Sequence, residues 1–223
     1  MPMRSRWALA LAAVVVAACG GGAVADPARL LALGDSYTIG EGVAPAERWP
    51  EQLAAALAAE GIAVDVEVVA RTGWTVADLD AGIDAADLQG PFDLVTLLIG
   101  VNDQYRGGYP DDYHLEFDAV LRRAIEFAEG DPGRVIVVSI PDWGVTPFAA
   151  ARVEEGVSGV IDAFNRAARE EAVAAGAAWV DVTGISRSQE PGLLADDDLH
   201  PSGEQYRRWA EMILPVARGI LSG

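Results

Sequence analysis

A serine near the start of the chain and an aspartate and a histidine near its end could together perform nucleophilic catalysis. Ser36 closes a Gly-Asp-Ser triplet directly after the apolar run Leu30–Leu33, and His200 lies three residues after Asp197. A serine hydroxyl attacks well only when a base takes its proton, and a third group must orient that base. Because the chain has only two histidines, the pairing of Ser36 with His200 predicts a serine hydrolase.

Asp197 is the predicted orienting carboxylate, although two neighbouring aspartates remain alternatives. Its three-residue offset from His200 on a turn brings both side chains to one side. Its carboxylate can then accept from Nδ1–H and leave Nε2 free for the serine. The alternatives are Asp196 and Asp198. The other histidine, His114, lies among acidic residues at a predicted helix start, where no strand end presents it to the nucleophile.

The elements that must position these residues alternate between short β-like runs and helical stretches, as in parallel α/β folds. The predicted strands are Arg29–Leu33, Val64–Val69, Phe92–Ile99, Arg134–Ile140 and Ala178–Val182. The predicted helices are roughly Trp49–Glu60, Val76–Ala86, Asp111–Glu129, Glu154–Ala175 and Ser202–Leu221. This alternation predicts a three-layer α/β/α sandwich with a flavodoxin-like parallel sheet of strand order 2-1-3-4-5.

In that strand order, three positions meet at the crevice that open α/β sheets form beyond the carboxyl ends of their strands. Ser36 follows the first strand, Gly73 the second and Asn102 the third. Attack on an ester carbonyl creates an oxyanion that needs preorganised donors. The backbone N–H groups of Ser36 and Gly73 and the side-chain amide of Asn102 are the predicted donors. The irregular segment Gly184–His200 is long enough to carry the histidine back over the crevice.

The composition excludes several other kinds of chemistry. The chain has no lysine, so P-loop, Schiff-base and Ser-Lys chemistry lack their amine. The single cysteine, Cys19, can build neither an intrachain disulfide nor a thiolate zinc site. A formal net charge of −18 argues against nucleic acid as a partner. The run Asp196–Asp198 could bind a divalent cation, but a solvated acidic run is favoured, and neither a metal nor another cofactor is predicted.

The first 25 residues predict a targeting segment, which leaves residues 26–223 for the folded domain. Two arginines precede the apolar stretch Trp7–Ala18, which is short for a membrane span and typical of a secretory signal. The sequence Val-Ala-Ala-Cys ending at Cys19 resembles a bacterial lipobox, and a run of three glycines after it could serve as a tether. This predicts an exported envelope lipoprotein tethered to the membrane. Cleavage after Ala25 is the alternative, and it predicts a periplasmic or secreted protein.

Four segments of the sequence, around Ser36, Gly73, Asn102 and His200, resemble the conserved blocks of the SGNH hydrolase superfamily, the GDSL esterases and lipases. Ser36, Gly73, Asn102 and His200 match the serine, glycine, asparagine and histidine of that family. The first block departs mildly, since it reads Gly-Asp-Ser-Tyr where Gly-Asp-Ser-Leu is expected. The resemblance covers about residues 28–220. It implies a flavodoxin-like α/β/α fold, a metal-free Ser-Asp-His triad and an oxyanion hole made by the serine, glycine and asparagine.

The predicted function is hydrolysis of carboxylic esters through an acyl-enzyme intermediate. The expected substrate is a small-molecule, lipid or carbohydrate ester, as in lysophospholipases or carbohydrate O-deacylases. Candidate pocket residues are Tyr37, Trp74 and Tyr105, with Tyr109 and Trp143 nearby, because they follow strands beside the crevice. Two alternatives stay open. The same site could transfer the acyl group to an alcohol or sugar, or the chain could be a non-catalytic envelope binding protein.

Overall fold

A computed structural model describes residues 26–152, 156–188 and 190–223. The predicted targeting segment, with Cys19 and the cleavage site after Ala25, lies outside the described residues. Within them, five parallel strands form one sheet in the order β2-β1-β3-β4-β5. The strands are β1 Ala28–Gly34, β2 Val64–Ala70, β3 Leu94–Leu98, β4 Val135–Val138 and β5 Ala178–Val180. The predicted strand order is therefore confirmed.

Helices cover both faces of this sheet. Those of the described residues are α1 Ser36–Ile39, α2 Trp49–Ala59, α3 Val76–Ala85, α4 Val101–Tyr105, α5 Pro110–Phe127, α6 Pro147–Ala150, α7 Val157–Ala175, α8 Thr183–Ser186 and α9 Gly203–Leu221. Short 3₁₀ turns cover Pro45–Glu47, Pro132–Arg134 and Trp143–Val145. Helix α2 packs on α9, while α5 packs on α7 and α3. The arrangement confirms the predicted three-layer α/β/α sandwich. None of the helices within the described ranges is both long and apolar enough to cross a bilayer.

The core lies on the two faces of the central strands. Every residue of β3 and β4 is buried, and in β1 the run Leu30–Leu33 is fully buried. Strands covered on both faces favour apolar side chains at nearly every position. These runs accordingly show no polar alternation, and Thr96 of β3 is their one polar residue. The edge strand β2 is only partly buried. The sheet therefore gives a rigid base for the loops that leave its carboxyl edge.

Two of these loops contain short helices that begin almost at once. Helix α1 starts two residues after β1 ends, and Asp35 caps it, because its carboxylate accepts a hydrogen bond from the backbone N–H of Tyr37 at 3.0 Å. Helix α4 follows Gly100, whose φ of 123° and lack of a Cβ let the chain turn against the ring of Tyr113. Ser36 and Asn102 consequently lie in the first turns of two short helices at the same sheet edge.

Candidate active site

One cavity of about 180 Å³ lies beyond the carboxyl ends of the first three strands. It brings together four residues that the sequence analysis selected, namely Ser36, Gly73, Asn102 and His200. The remaining lining residues are Tyr37, Thr72, Val101, Tyr105, Trp143, Phe148 and Leu199. Ser36 is 5 % exposed and His200 is 8 % exposed, so both residues are buried where they line the cavity.

The imidazole of His200 is held by Asp197. Its Nδ1 lies 2.6 Å from Oδ2 of Asp197, and the other carboxylate oxygen accepts the backbone N–H groups of Leu199 and His200 at 3.0 and 2.9 Å. Burial raises the pKa of Asp197, but the hydrogen bonds from His200 and from these two N–H groups outweigh burial, and the net pKa lies below its ordinary value. An ionised Asp197 holds hydrogen on Nδ1 and leaves Nε2 as the free acceptor.

The two alternative aspartates take other positions. The backbone carbonyl of Asp198 accepts the N–H of Phe148 at 3.2 Å, and Asp198 lines a separate cleft. The described contacts of Asp196 do not include the His200 ring. The ring contact in the structure therefore belongs to Asp197.

A tight return of the chain carries His200 to the cavity. Leu194 and Pro201 form an antiparallel bridge, and the N–H of Ala195 donates to the carbonyl of His200 at 2.8 Å. Ser202 then caps α9 by accepting the N–H of Gln205. These bonds fix His200 between a turn and the start of α9. The end of the long segment after β5 is thus held at the cavity.

Gly73 and Asn102 approach the cavity from neighbouring loops. Gly73 has a φ of +84°, a backbone conformation that side chains disfavour, and a Cβ there would meet no protein atom within 4 Å. One amide hydrogen of Asn102 is used, because Nδ2 donates to the backbone carbonyl of Trp74 at 2.9 Å. The second hydrogen on Nδ2 is available to a ligand. Together with the N–H of Ser36, these groups can supply donors to a developing oxyanion.

Aromatic side chains form one wall of the cavity. Tyr105, which is 49 % exposed, meets Trp143 edge to face with 5.3 Å between ring centroids, and Trp143 meets Phe148 at 6.1 Å. The indole Nε1 of Trp143 donates to Gln104 Oε1 at 2.7 Å. On the opposite side, the buried ring of Tyr37 lies 5.6 Å from that of His200. The wall offers an acyl or alcohol group an apolar surface.

The position of Trp74 differs from the prediction. Its indole is not among the side chains that line the cavity, because it packs over Gly82 of α3, where a Cβ would clash with the ring. Only its backbone carbonyl serves the site, as the acceptor for Asn102. Conversely, Phe148 and Leu199 could not be identified from the sequence, since an apolar residue that lines a cavity carries the same sequence signal as one in the core.

The second histidine, His114, lies outside the cavity. His114 Nε2 lies 2.8 Å from Oε1 of Glu171, so this histidine joins α5 to α7 away from the cavity. Over the described parts of the chain, no group of three or more His, Cys, Asp or Glu side chains is arranged to hold a metal ion.

Solved structures with the same fold are numerous. A crystal structure of TesA is 23% identical, with a TM-score of 0.67 over 86% of this chain and 99% of that one. A lipase/acylhydrolase from Enterococcus faecalis is 21% identical, with a TM-score of 0.68 over 86% and 96% of the two chains. The acetylxylan esterase Axe2 from Geobacillus stearothermophilus is 20% identical, with a TM-score of 0.67 over 85% and 94%. At these identities the likeness establishes the fold.

Family membership comes from the sequence itself. No curated protein matches the chain at a significant level. The family model described as GDSL-like lipase/acylhydrolase matches residues 32–208, which include all four blocks around the cavity. The chain therefore belongs to the GDSL-like lipase/acylhydrolase family, as the resemblance of its blocks predicted, and is a carboxylic ester hydrolase.

Proposed function

We propose that this protein is an exported serine esterase whose nucleophile is Ser36, with His200 as its base and Asp197 as the group that orients the base. The observation that carries the proposal is the meeting of Ser36 and His200 in one cavity with Gly73 and Asn102. These four residues come from four separate segments of the chain. Such a convergence supplies a nucleophile, a base and oxyanion donors within one volume.

The proposed reaction has two halves. Ser36 Oγ attacks the ester carbonyl carbon while His200 Nε2 takes the hydroxyl proton, and the carbonyl oxygen becomes an oxyanion. The imidazolium then gives its proton to the departing alcohol, which leaves an acyl-enzyme. Water then attacks the acyl carbon while His200 takes one of its protons. The bond to Ser36 Oγ breaks, Oγ regains a proton from His200, and the carboxylic acid leaves. Donors to the oxyanion are the N–H groups of Ser36 and Gly73 and the amide of Asn102, each worth roughly 3–4 kcal/mol of barrier in comparable sites.

The proposed substrates are neutral esters with short acyl groups, either small molecules or acylated carbohydrates. A cavity of about 180 Å³ favours a short acyl group over a long chain. The aromatic wall of Tyr105, Trp143 and Phe148 gives an apolar or sugar-like alcohol a surface to pack on. One protein of the same fold is an acetylxylan esterase, which is compatible with this substrate class.

A panel of nitrophenyl esters from acetyl upward tests the substrate class. We expect kcat/KM to be highest for the shortest acyl chains and to fall as the chain lengthens, because a longer chain extends beyond the cavity. A preference for long chains would instead favour a lysophospholipase-like role. Adding alcohols or sugars as acceptors distinguishes hydrolysis from transfer, since a transferase releases a new ester in place of the free acid.

Covalent labelling tests the proposed nucleophile. A fluorophosphonate probe should label the protein once at neutral pH, and Ser36→Ala should abolish both labelling and ester hydrolysis. The matched control is Ser222→Ala, which changes an exposed serine at the end of α9 and should leave both unchanged. Labelling should also fall at acid pH, because a protonated imidazole cannot accept the serine proton.

Two results would argue against the triad. Undiminished labelling of Ser36→Ala would place the nucleophile elsewhere, and a rate unchanged down to about pH 4 would remove His200 as the base. A folded wild-type protein that refuses the probe at neutral pH would favour a binding protein.

A further inference from the structure

Besides Ser36, the two proposed oxyanion donors lie just after two strands that are not neighbours in the sheet. Gly73 follows β2 and Asn102 follows β3, and β1 lies between these strands. Hydrogen bonds between strands therefore do not fix one donor directly against the other. A catalytic group must be held to within roughly 0.5 Å of its productive position, so contacts between the two loops must provide the alignment.

Side chains at and just after α4 provide three such contacts. Asn102 Nδ2 donates to the carbonyl of Trp74 at 2.9 Å. The carboxylate of Asp103 accepts the backbone N–H of Val76, with its two oxygens at 3.1 and 3.3 Å from the nitrogen. The guanidinium of Arg106 donates to the carbonyl of Gly73 at 2.6 Å. One short segment thus contacts Gly73 and Trp74 of the loop that carries the glycine donor, and Val76, the first residue of α3.

Each contact suits the group it holds. Val76 is the first residue of α3, where backbone N–H groups lack helical partners and the helix dipole favours a negative charge. Asp103 supplies that charge from a largely buried position. Burial raises its pKa to about 6, although the hydrogen bond from Val76 opposes this rise. Arg106 is more exposed, and besides Gly73 it lies 3.5 Å from a carboxylate oxygen of Asp78.

We infer that Asp103 and Arg106 are positioning residues of the oxyanion hole. They hold the loop from Gly73 to Val76 against α4, so that the N–H of Gly73 and the second amide hydrogen of Asn102 point at the same part of the cavity. Neither belongs to the cavity lining, so they act through the donors and do not touch the substrate. The inference rests on the proposed function of Ser36.

Three variants separate positioning from general stability. Asp103→Ala removes the acceptor for Val76, Asp103→Asn keeps an amide oxygen in its place, and Arg106→Ala removes the donor to Gly73. We expect Asp103→Ala to lower kcat by roughly 10- to 100-fold, because displacements of about 1 Å can cost that much. Arg106→Ala should lower it by about 10-fold, and Asp103→Asn should recover most of the rate. KM should stay within about threefold of the wild-type value in all three variants, since contacts that bind the substrate equally in the ground state and the transition state are not altered.

The matched control is Arg122→Ala, which also removes an exposed guanidinium paired with a carboxylate, here Asp118 within α5. Its kcat should equal that of the wild type. A second measurement is inhibition by a trifluoromethyl ketone, whose adduct with the serine places an oxyanion in the hole. Its Ki should rise in parallel with the fall in kcat/KM for Asp103→Ala and Arg106→Ala.

The outcomes are distinct. Wild-type kcat and Ki in folded Arg106→Ala and Asp103→Ala would overturn the inference. So would a loss of kcat that Asp103→Asn fails to recover. Should Asp103→Ala not fold, Arg106→Ala decides alone, because its side chain is more than half exposed. If Ser36→Ala kept full activity, the proposed function itself would fail, whatever the effects of the Asp103 and Arg106 variants.

Discussion

Asp35, the residue directly before the proposed nucleophile, has a carboxyl group buried with a single hydrogen-bonding partner. Its Oδ1 accepts the N–H of Tyr37, while no described residue forms a hydrogen bond with Oδ2. Burial raises the pKa of Asp35 to about 8, although the bond from Tyr37 opposes the rise. The folded protein therefore keeps this group protonated at neutral pH, whereas the unfolded chain, with a pKa of about 3.9, releases the proton.

The substitution Asp35→Asn should make stability less dependent on pH. Because the folded-state pKa is the higher one, the folded state binds the extra proton between about pH 4 and pH 8. The free energy of unfolding of the wild type therefore falls as pH rises through this window. Asparagine keeps an acceptor for Tyr37 and never ionises. We expect the free energy of unfolding of the variant, relative to wild type, to rise across the window by up to about 1.4 kcal/mol per pH unit.

Urea denaturation at a series of pH values measures this difference. Asp131→Asn is the control, since that carboxylate is exposed and caps a 3₁₀ turn far from the cavity, and its difference from wild type should not follow the same window. A constant difference between Asp35→Asn and wild type from pH 4 to 8 would mean that Asp35 is ionised in the folded protein.

Single residues differed in how far the sequence alone could place them. Ser36 and His200 could be paired because the chain has few histidines and because both flank regular elements. Trp74 could not be placed, since its side chain was free to turn toward the cavity or toward α3, and the packing space over Gly82 decided the matter. Phe148 reaches the cavity through a loop contact with Asp198, which no local pattern encodes.

At the level of elements, the strands and long helices were predictable and the short helices were not. The strands β1, β3 and β4 are buried on both faces, so their continuous apolar runs gave their positions to within a few residues. Helices α1, α4, α6 and α8 have four or five residues, too few to show a helical period. Sequence periodicity therefore could not predict helix α4, which contains Asn102, Asp103 and Gln104. This helix nevertheless links the loops on both sides of the cavity.

For the molecule as a whole, net charge bears on which surfaces the domain can approach. A net charge of −18 disfavours approach to anionic lipid surfaces, and many arginines of the described residues are paired with carboxylates, as in the cluster of Arg207 and Arg208 with Glu204 and Glu190. Net charge therefore provides no electrostatic attraction to such a lipid surface, and the membrane anchor that we propose is covalent, through Cys19.

The substitution Cys19→Ser in the full chain tests that anchor. Expressed in a bacterium with a lipoprotein pathway, the wild type should enter the membrane fraction and the detergent phase, because acyl chains on Cys19 partition into lipid. Cys19→Ser should lose this partitioning while it keeps its activity on a soluble ester, since none of the residues that line the cavity is changed. The matched variant Ala25→Leu alters the alternative cleavage site and should leave the wild-type fractionation unchanged. A wild-type protein that stays soluble, with Asp26 as its mature N-terminus, would instead establish ordinary secretion.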